Sequence, residues 1–238
     1  MSQTREIIDA PAPLVHHLQE LRRRVGIALA AVIVGSIITF AWCDPLIAIL
    51  RAPLGDTPLF FVGVGDAFGI RMQLSLIGGV ALAMPIWLWQ AWAFIRPGLT
   101  DSERRAARPW VPLALLLFIV GVAVAWVVLP FAVSFLLSFA TDDLTPLIAA
   151  DRYFGFVGSL MLVFGLATEY PILLVLLSRV GVVSSNKLRR WRRNALVLAV
   201  VVGAFATPGT DLVSPIVLAV VLYILYELSI WLVRAGGR

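Results

Sequence analysis

The feature that most constrains this chain is a series of long uncharged apolar runs separated by short arginine-rich gaps. Uncharged runs cover 25–43, 72–95 and 109–141. Three more follow: 153–178, interrupted only by Glu169; a short run at 194–210; and 212–233, interrupted only by Glu227. A helix crossing about 30 Å of hydrocarbon needs about 20 mostly apolar residues. Hydrophobic residues fill 61% of the 238 positions and charged residues 14%. A soluble domain has about 45–50% and about 25%. A water-soluble fold of this size cannot hide so much apolar surface, so lipid is the solvent for much of it.

The expected fold is therefore all-α: one polytopic membrane domain, 1–238, with six transmembrane helices at approximately 25–43, 72–95, 110–130, 155–178, 194–207 and 213–233. The third run is too long for one span. Pro130 is expected to end its helix, because proline lacks a donor and clashes with the preceding turn. Residues 131–139 would then continue as an apolar surface segment. Helices five and six are expected to be short, joined by the breaker-rich turn Thr207-Pro208-Gly209-Thr210-Asp211. Such a hairpin would fall short of the full membrane thickness and thin the bilayer locally.

Charge sets the expected orientation. All but three of the 19 basic residues lie in the N-terminal segment, the gaps after the second and fourth runs, and the tail. The opposite gaps hold only Arg51, Arg71 and Arg152, with Asp44, Asp56, Asp66, Asp142, Asp143, Asp151 and Asp211. The positive-inside rule makes the basic side cytoplasmic and, with six spans, places both termini there. The net charge of +5 thus reflects topology rather than nucleic-acid binding.

Several function classes are disfavoured. One cysteine, Cys43, permits no internal disulfide, and with only His16 and His17 as histidines a transition-metal site is not expected. No cofactor is implied. The first run is too long, and too well followed by others, for a cleaved signal peptide. Gly63-Val64-Gly65-Asp66 has the look of an intramembrane aspartyl protease, but no second aspartate lies within a run to share a proton. Gly158-Ser159 has no histidine within any run to act as base. The chain is not expected to be an enzyme.

The residues that remain are carboxylates in telling places. Glu169 lies mid-run in Thr168-Glu169-Tyr170-Pro171. A carboxylate there costs about 2.5–3.5 kcal/mol on insertion scales and normally faces protein or water. Pro171 also frees the carbonyl of Ala167. This polar notch either makes a structural hydrogen bond or accepts a partner's polar group. Glu227, about two turns from the cytoplasmic end, is expected to snorkel or to pair with a cytoplasmic arginine. Before the first run, Leu14, Leu18, Leu21 and Val25 share a helical face. Glu20 stands three and four residues before Arg23 and Arg24, the spacing of a surface ion pair. Thr100 and Glu103 have capping-box spacing, and Asp211 is placed to cap the sixth helix.

Together these motifs resemble one family, TatC, the largest core subunit of the twin-arginine translocase. The markers are His17-Leu18-Gln19-Glu20-Leu21-Arg22, the loop from Phe94 to Arg105, the segment from Phe164 to Pro171, Leu188 to Arg193, and Thr207 to Asp211. Their order and spacing cover nearly the whole chain, from about Leu14 to Arg234.

The resemblance implies a receptor, in the cytoplasmic membrane of a prokaryote, for signal peptides that bear paired arginines. Their folded cargo is exported using the proton-motive force. It implies Glu20 and Glu103 as carboxylates for the incoming guanidiniums, which form strong bidentate bonds. Phe94, Pro97, Leu99 and Arg104 would shape that site, and Arg22 would orient Glu20. Glu169 would face the transmembrane helices of single-span TatA- and TatB-type partners, and Thr207, Pro208 and Asp211 would form the outer turn. Self-association in a receptor complex is also implied. Three positions depart from the family's pattern. Gly209-Thr210 precede Asp211 where a second proline is expected, Pro215 replaces a glutamine, and 218–221 lacks a proline often found there. The competing expectation, from a different class, is a proton-coupled carrier of a small solute that uses Glu169 as its relay.

Overall fold

The computed structural model describes residues 13–55, 57–98, 100, 104–105, 109–141, 146–179, 181, 183–206 and 211–235. Its helices are α1 (Pro13–Ala41), α2 (Cys43–Arg51), α3 (Asp66–Ile95), α4 (Trp110–Leu137), α5 (Ala150–Ala167), α6 (Tyr170–Arg179), α7 (Ser185–Arg190), α8 (Arg192–Ala206) and α9 (Val213–Ala235). Two two-residue strands, β1 (Leu59–Phe60) and β2 (Ile148–Ala149), pair in parallel. Helices dominate because lipid leaves backbone N–H and C=O groups no partner outside their own segment.

Burial is arranged for lipid. Along α1, Ala28, Val32, Gly35 and Thr39 are buried at helical spacing, whereas Leu29, Ile33, Val34 and Ile37 are exposed. The buried stripe meets α3 through small residues. A Cβ on Gly35 would lie 2.7 Å from the carbonyl oxygen of Gly79, and one on Gly78 would lie 2.4 Å from Cγ2 of Thr39. Apolar side chains gain little by leaving hydrocarbon, so helices associate where small residues let their backbones approach. The central core joins Leu74 of α3, Leu129 of α4, Val157, Leu160 and Phe164 of α5, and Leu218 of α9. A second cluster, with Leu174, Val175, Leu188, Tyr226 and Ile230, fastens α6 and α7 to α9.

The end opposite the basic gaps is closed by a small cap. The Tyr153 hydroxyl donates to the Leu50 carbonyl at 2.8 Å across 103 residues of sequence. Arg71 pairs with Asp44, and β1 and β2 tie the two loops together. Asp66 accepts hydrogen bonds from the backbone of Val62 and Gly63 at 3.0 and 2.6 Å. It therefore shapes its own loop, and the protease-like motif is a turn.

Two expectations are corrected. α4 does not end at Pro130; it runs through it to Leu137. Pro130 sits on the exposed side, while Leu129, Ala132 and Val133 are buried, so packing holds the helix although the proline removes one hydrogen bond. Nor is the last helix short. α9 has 23 residues, and within it Glu227 pairs, as expected, with an arginine of the basic side: the Arg192 Nη2 lies 2.6 Å from its Oε2. The helix preceding it is short, as expected. α8 has 15 residues, about 22 Å at 1.5 Å per residue, against about 30 Å of hydrocarbon. Among the described residues, five helical stretches are long and apolar enough to cross a membrane, and α8 is not one of them.

The long stretch from Ala150 to Ser178 is interrupted where the sequence places Glu169. α5 ends at Ala167 and α6 starts at Tyr170. The Glu169 amide reaches back only to the Leu166 carbonyl, at 3.1 Å. Thr168 secures the break, its hydroxyl lying 2.8 Å from the Leu117 carbonyl and 2.7 Å from that of Gly165. Opposite stands Gly121, where a Cβ would lie 2.4 Å from that hydroxyl and 2.5 Å from the Phe164 carbonyl. Gly121→Val should therefore destabilise the protein by about 1–3 kcal/mol through overpacking. Thermal unfolding in detergent should register this as a lowered Tm, and an unchanged Tm would show that α4 and α5 can separate at no cost.

Candidate functional site

At the end that carries the basic gaps, α1 and α3 lie side by side and bring together residues far apart in sequence. Glu20, about a quarter exposed, accepts from Arg24 on its Oε1: Nη2 at 2.5 Å and Nε at 3.1 Å. The third nitrogen of the same guanidinium, Nη1, lies 3.4 Å from Oε1 of Gln90 on α3. One turn before Glu20, the ring of His17 stacks on Phe94, with centroids 4.3 Å apart. A recess of about 290 Å³ is lined here by Glu20, Arg23, Arg24, Ile27, Trp89 and Gln90. Trp89 is shared with a neighbouring recess of about 640 Å³, where Trp92, Arg96, Arg104 and Arg105 also contribute. The arrangement is an aromatic-walled basin rich in arginine with one described carboxylate at its edge. Arginine and carboxylate in a partly dehydrated basin favour charge-assisted, directional hydrogen bonds.

A second feature lies on the flank of the bundle. Met84, Leu88, Ala91 and Ile95 of α3, Ile172 and Leu173 of α6, Leu198 and Val202 of α8, and Leu222 and Tyr226 of α9 border an apolar groove of about 540 Å³. Glu169 is its one charged residue. Its Oε1 is buried and has no hydrogen-bond partner among the described residues. A buried, unpaired carboxylate oxygen is costly, so this groove offers an acceptor to whatever polar group enters from the side. The two features share a wall. Trp89 and Gln90 of α3 face the basin, and Leu88, Ala91 and Ile95 face the groove.

The chain as a whole has counterparts among known proteins. The family model described as "Sec-independent protein translocase protein (TatC)" matches residues 16–220. The chain belongs to the TatC family. A TatC protein of Carboxydothermus hydrogenoformans is 34% identical over 95% of this chain and 94% of its own length. That of Aquifex aeolicus is 36% identical over 95% and 96%, and that of Frankia casuarinae 36% over 96% and 67%. A crystal structure of the twin-arginine translocase receptor TatC superposes with a TM-score of 0.81 at 36% identity, covering 93% of this chain and all of that one. The protein is thus a multi-pass helical component of the twin-arginine protein translocase of a prokaryotic membrane.

The residues expected from the TatC resemblance are distributed as follows. Glu20 lines one recess, Phe94 stacks on His17 one turn before it across the α1–α3 contact, and Arg104 lines the adjoining recess. Pro97 is exposed in the turn Arg96–Gly98 that ends α3. Arg22 is exposed, and the guanidinium that closes on Glu20 is that of Arg24. Leu99, Glu103, Thr207 and Pro208 lie outside the described residues. Asp211 is buried, and its Oδ2 accepts from the Ser214 amide at 2.6 Å, the geometry of a helix cap. Sequence reasoning missed Trp89 and Gln90. A glutamine in an otherwise apolar run was the available signal for the second. It also missed that Tyr226 donates to the Leu188 carbonyl at 2.6 Å and so pins the basic α7 segment to α9.

The bare Oε1 of Glu169 yields a stability prediction. Glu169→Gln should leave the Tm of the detergent-purified protein unchanged or raise it, since a neutral amide is cheaper to bury. A Tm lowered by several degrees would mean that the carboxylate holds the bundle together.

Proposed function

We propose that this TatC protein is the receptor at which twin-arginine signal peptides dock on the cytoplasmic face, and the platform that organises single-span partners. The observation that carries the reading is the basin between α1 and α3, with Glu20 already ligated by a guanidinium and Phe94 stacked on His17 about one turn away. A site that holds one arginine by charge-assisted bonds has the chemistry to hold another. Glu20 and Glu103 are the proposed carboxylate anchors, Phe94, Pro97, Leu99 and Arg104 the surrounding wall, and Arg22 an exposed cation at the rim. The apolar stretch of the signal then passes along the far face of α3 into the groove that holds Glu169.

In this reading both termini are cytoplasmic and the chain spans the membrane six times within one domain, at about the intervals 25–43, 72–95, 110–130, 155–178, 194–207 and 213–233, with the short α8 as one of the six. Glu169 receives polar groups from TatA-type and TatB-type helices, copies of the chain associate in a receptor complex, and Thr207, Pro208 and Asp211 form the outer turn. Transport draws on the proton-motive force, and the protein itself catalyses no covalent reaction. The groove supports a lateral partner because it opens sideways and is apolar apart from one acceptor, as a transmembrane helix with a single polar residue requires.

Site-specific photocrosslinking in native membranes tests the docking site. Probes at Glu20, Phe94 and Glu103 should capture a twin-arginine signal peptide, and capture should vanish when its arginines become lysines. Glu20→Ala and Glu103→Ala should abolish export of a twin-arginine reporter while membrane insertion persists. Normal export by both variants would sink the receptor reading. For the lateral site, Glu169→Leu should lose crosslinks to a TatA-type partner at Leu173 and Leu198. Crosslinks of undiminished yield would remove Glu169 from the partner surface.

A further inference from the structure

In the resting protein the Glu20 carboxylate is engaged by Arg24, one turn along the same helix. The pair is about one-fifth exposed on both sides, so it is less screened by water than an open surface pair. Two nitrogens of Arg24 converge on one oxygen of Glu20, so the carboxylate that an incoming arginine would grip is already engaged by a guanidinium. Gln90, across the α1–α3 contact, offers the same guanidinium a second and longer contact.

We infer that Arg24 is a built-in surrogate for the ligand's arginine, a specificity-determining residue that must be displaced from Glu20 toward Gln90 before a signal peptide can bind. The inference rests on the docking site proposed above. Its consequence is selectivity. An arriving arginine offers a planar fork with up to five N–H donors and can match the bonds that Arg24 gives up. An arriving lysine is a single hydrated point charge and cannot. The internal pair therefore sets a threshold that arginine passes and lysine does not. Gln90 lowers that threshold: its amide oxygen accepts the displaced guanidinium, and as a neutral group it does not draw Arg24 off Glu20 in the resting state.

Arg23 and Ile27, which line the same recess, do not substitute for this role. Arg23 is exposed, and its proximity adds positive potential that repels any second cation, arginine or lysine alike. Discrimination between those two needs a competing fork, and Arg24 is the residue whose fork is on the carboxylate.

The test uses full-length protein in nanodiscs and two fluorescent signal peptides, one with paired arginines and one with paired lysines, read by polarisation. Wild type should bind the first and reject the second. Arg24→Gln should bind the arginine peptide about tenfold more tightly, equivalent to about 1.4 kcal/mol, and should acquire binding of the lysine peptide. Arg24→Lys should fall between the two. Gln90→Leu should act in the opposite direction, weakening the arginine peptide, and this effect should disappear in an Arg24→Gln background. Equal or weaker arginine-peptide binding by Arg24→Gln, with Glu20→Gln unable to bind, would overturn the role of Arg24 and leave the docking site standing. Wild-type binding by Glu20→Gln would overturn both. A Gln90→Leu effect that persists without Arg24 would make Gln90 a direct contact and also overturn the displacement.

Discussion

Inside a bilayer no solvent hydrogen bonds replace those that a polypeptide fails to make for itself. That constraint makes the chain helical and also makes its exceptions informative. Among the described residues, polar side chains within the apolar stretches mostly satisfy themselves locally. Thr39 bonds back to the Gly35 carbonyl at 2.9 Å, Ser75 to that of Arg71 at 2.5 Å, and Ser229 to that of Leu225 at 2.6 Å. Thr168 bridges to α4. Against that background the buried side-chain oxygens left without a partner among the described residues are Ser36 Oγ, Ser214 Oγ, Asp211 Oδ1 and Glu169 Oε1, and of these only Glu169 borders the apolar groove.

The same constraint explains how α5 and α6 can break without a local collapse. A helix interrupted in lipid exposes carbonyls, and the break is tolerated only where neighbours cover it. Gly121, Gly165 and Thr168 bring α4 and α5 close enough for the hydroxyl to reach both chains. The small residues and the carboxylate thus belong to one device: tight packing on one side supports the break, and the break turns Glu169 toward the groove on the other side.

Much of this was legible in the sequence, because hydropathy and the placement of arginines report directly on the lipid boundary. The positions of α3, α8 and α9 follow from uncharged runs, and Glu169 identifies itself by being charged where charge is costly. What failed was the use of a local breaker without its context. Pro130 was expected to stop a helix, yet its ring lies on the exposed side of α4 while Leu129 and Ala132 anchor the same turn. The last helix was expected to be short, yet α9 runs 23 residues, past Glu227, which pairs with an arginine of the basic side, Arg192, as expected. Both errors have one cause. Tertiary partners distant in sequence decide whether a costly residue ends an element, and spacing along the chain does not name them.

The basin shows the converse case. The spacing of Glu20 and Arg24 suggests a surface ion pair, and the TatC resemblance suggests a ligand anchor, and these look like rival accounts. In the proposed reading they are successive states of one carboxylate. An anchor for arginine left bare at the membrane surface would carry an uncompensated charge in a partly dehydrated recess. Filling it with an internal arginine removes that cost at rest and leaves the site able to exchange one guanidinium for another. Because α3 carries Gln90 and Trp89 on its basin side and Leu88, Ala91 and Ile95 on its groove side, any shift of Arg24 across the α1–α3 contact acts on the helix that also walls the Glu169 groove. The charged basin and the lateral groove are therefore walled by the same short stretch of helix.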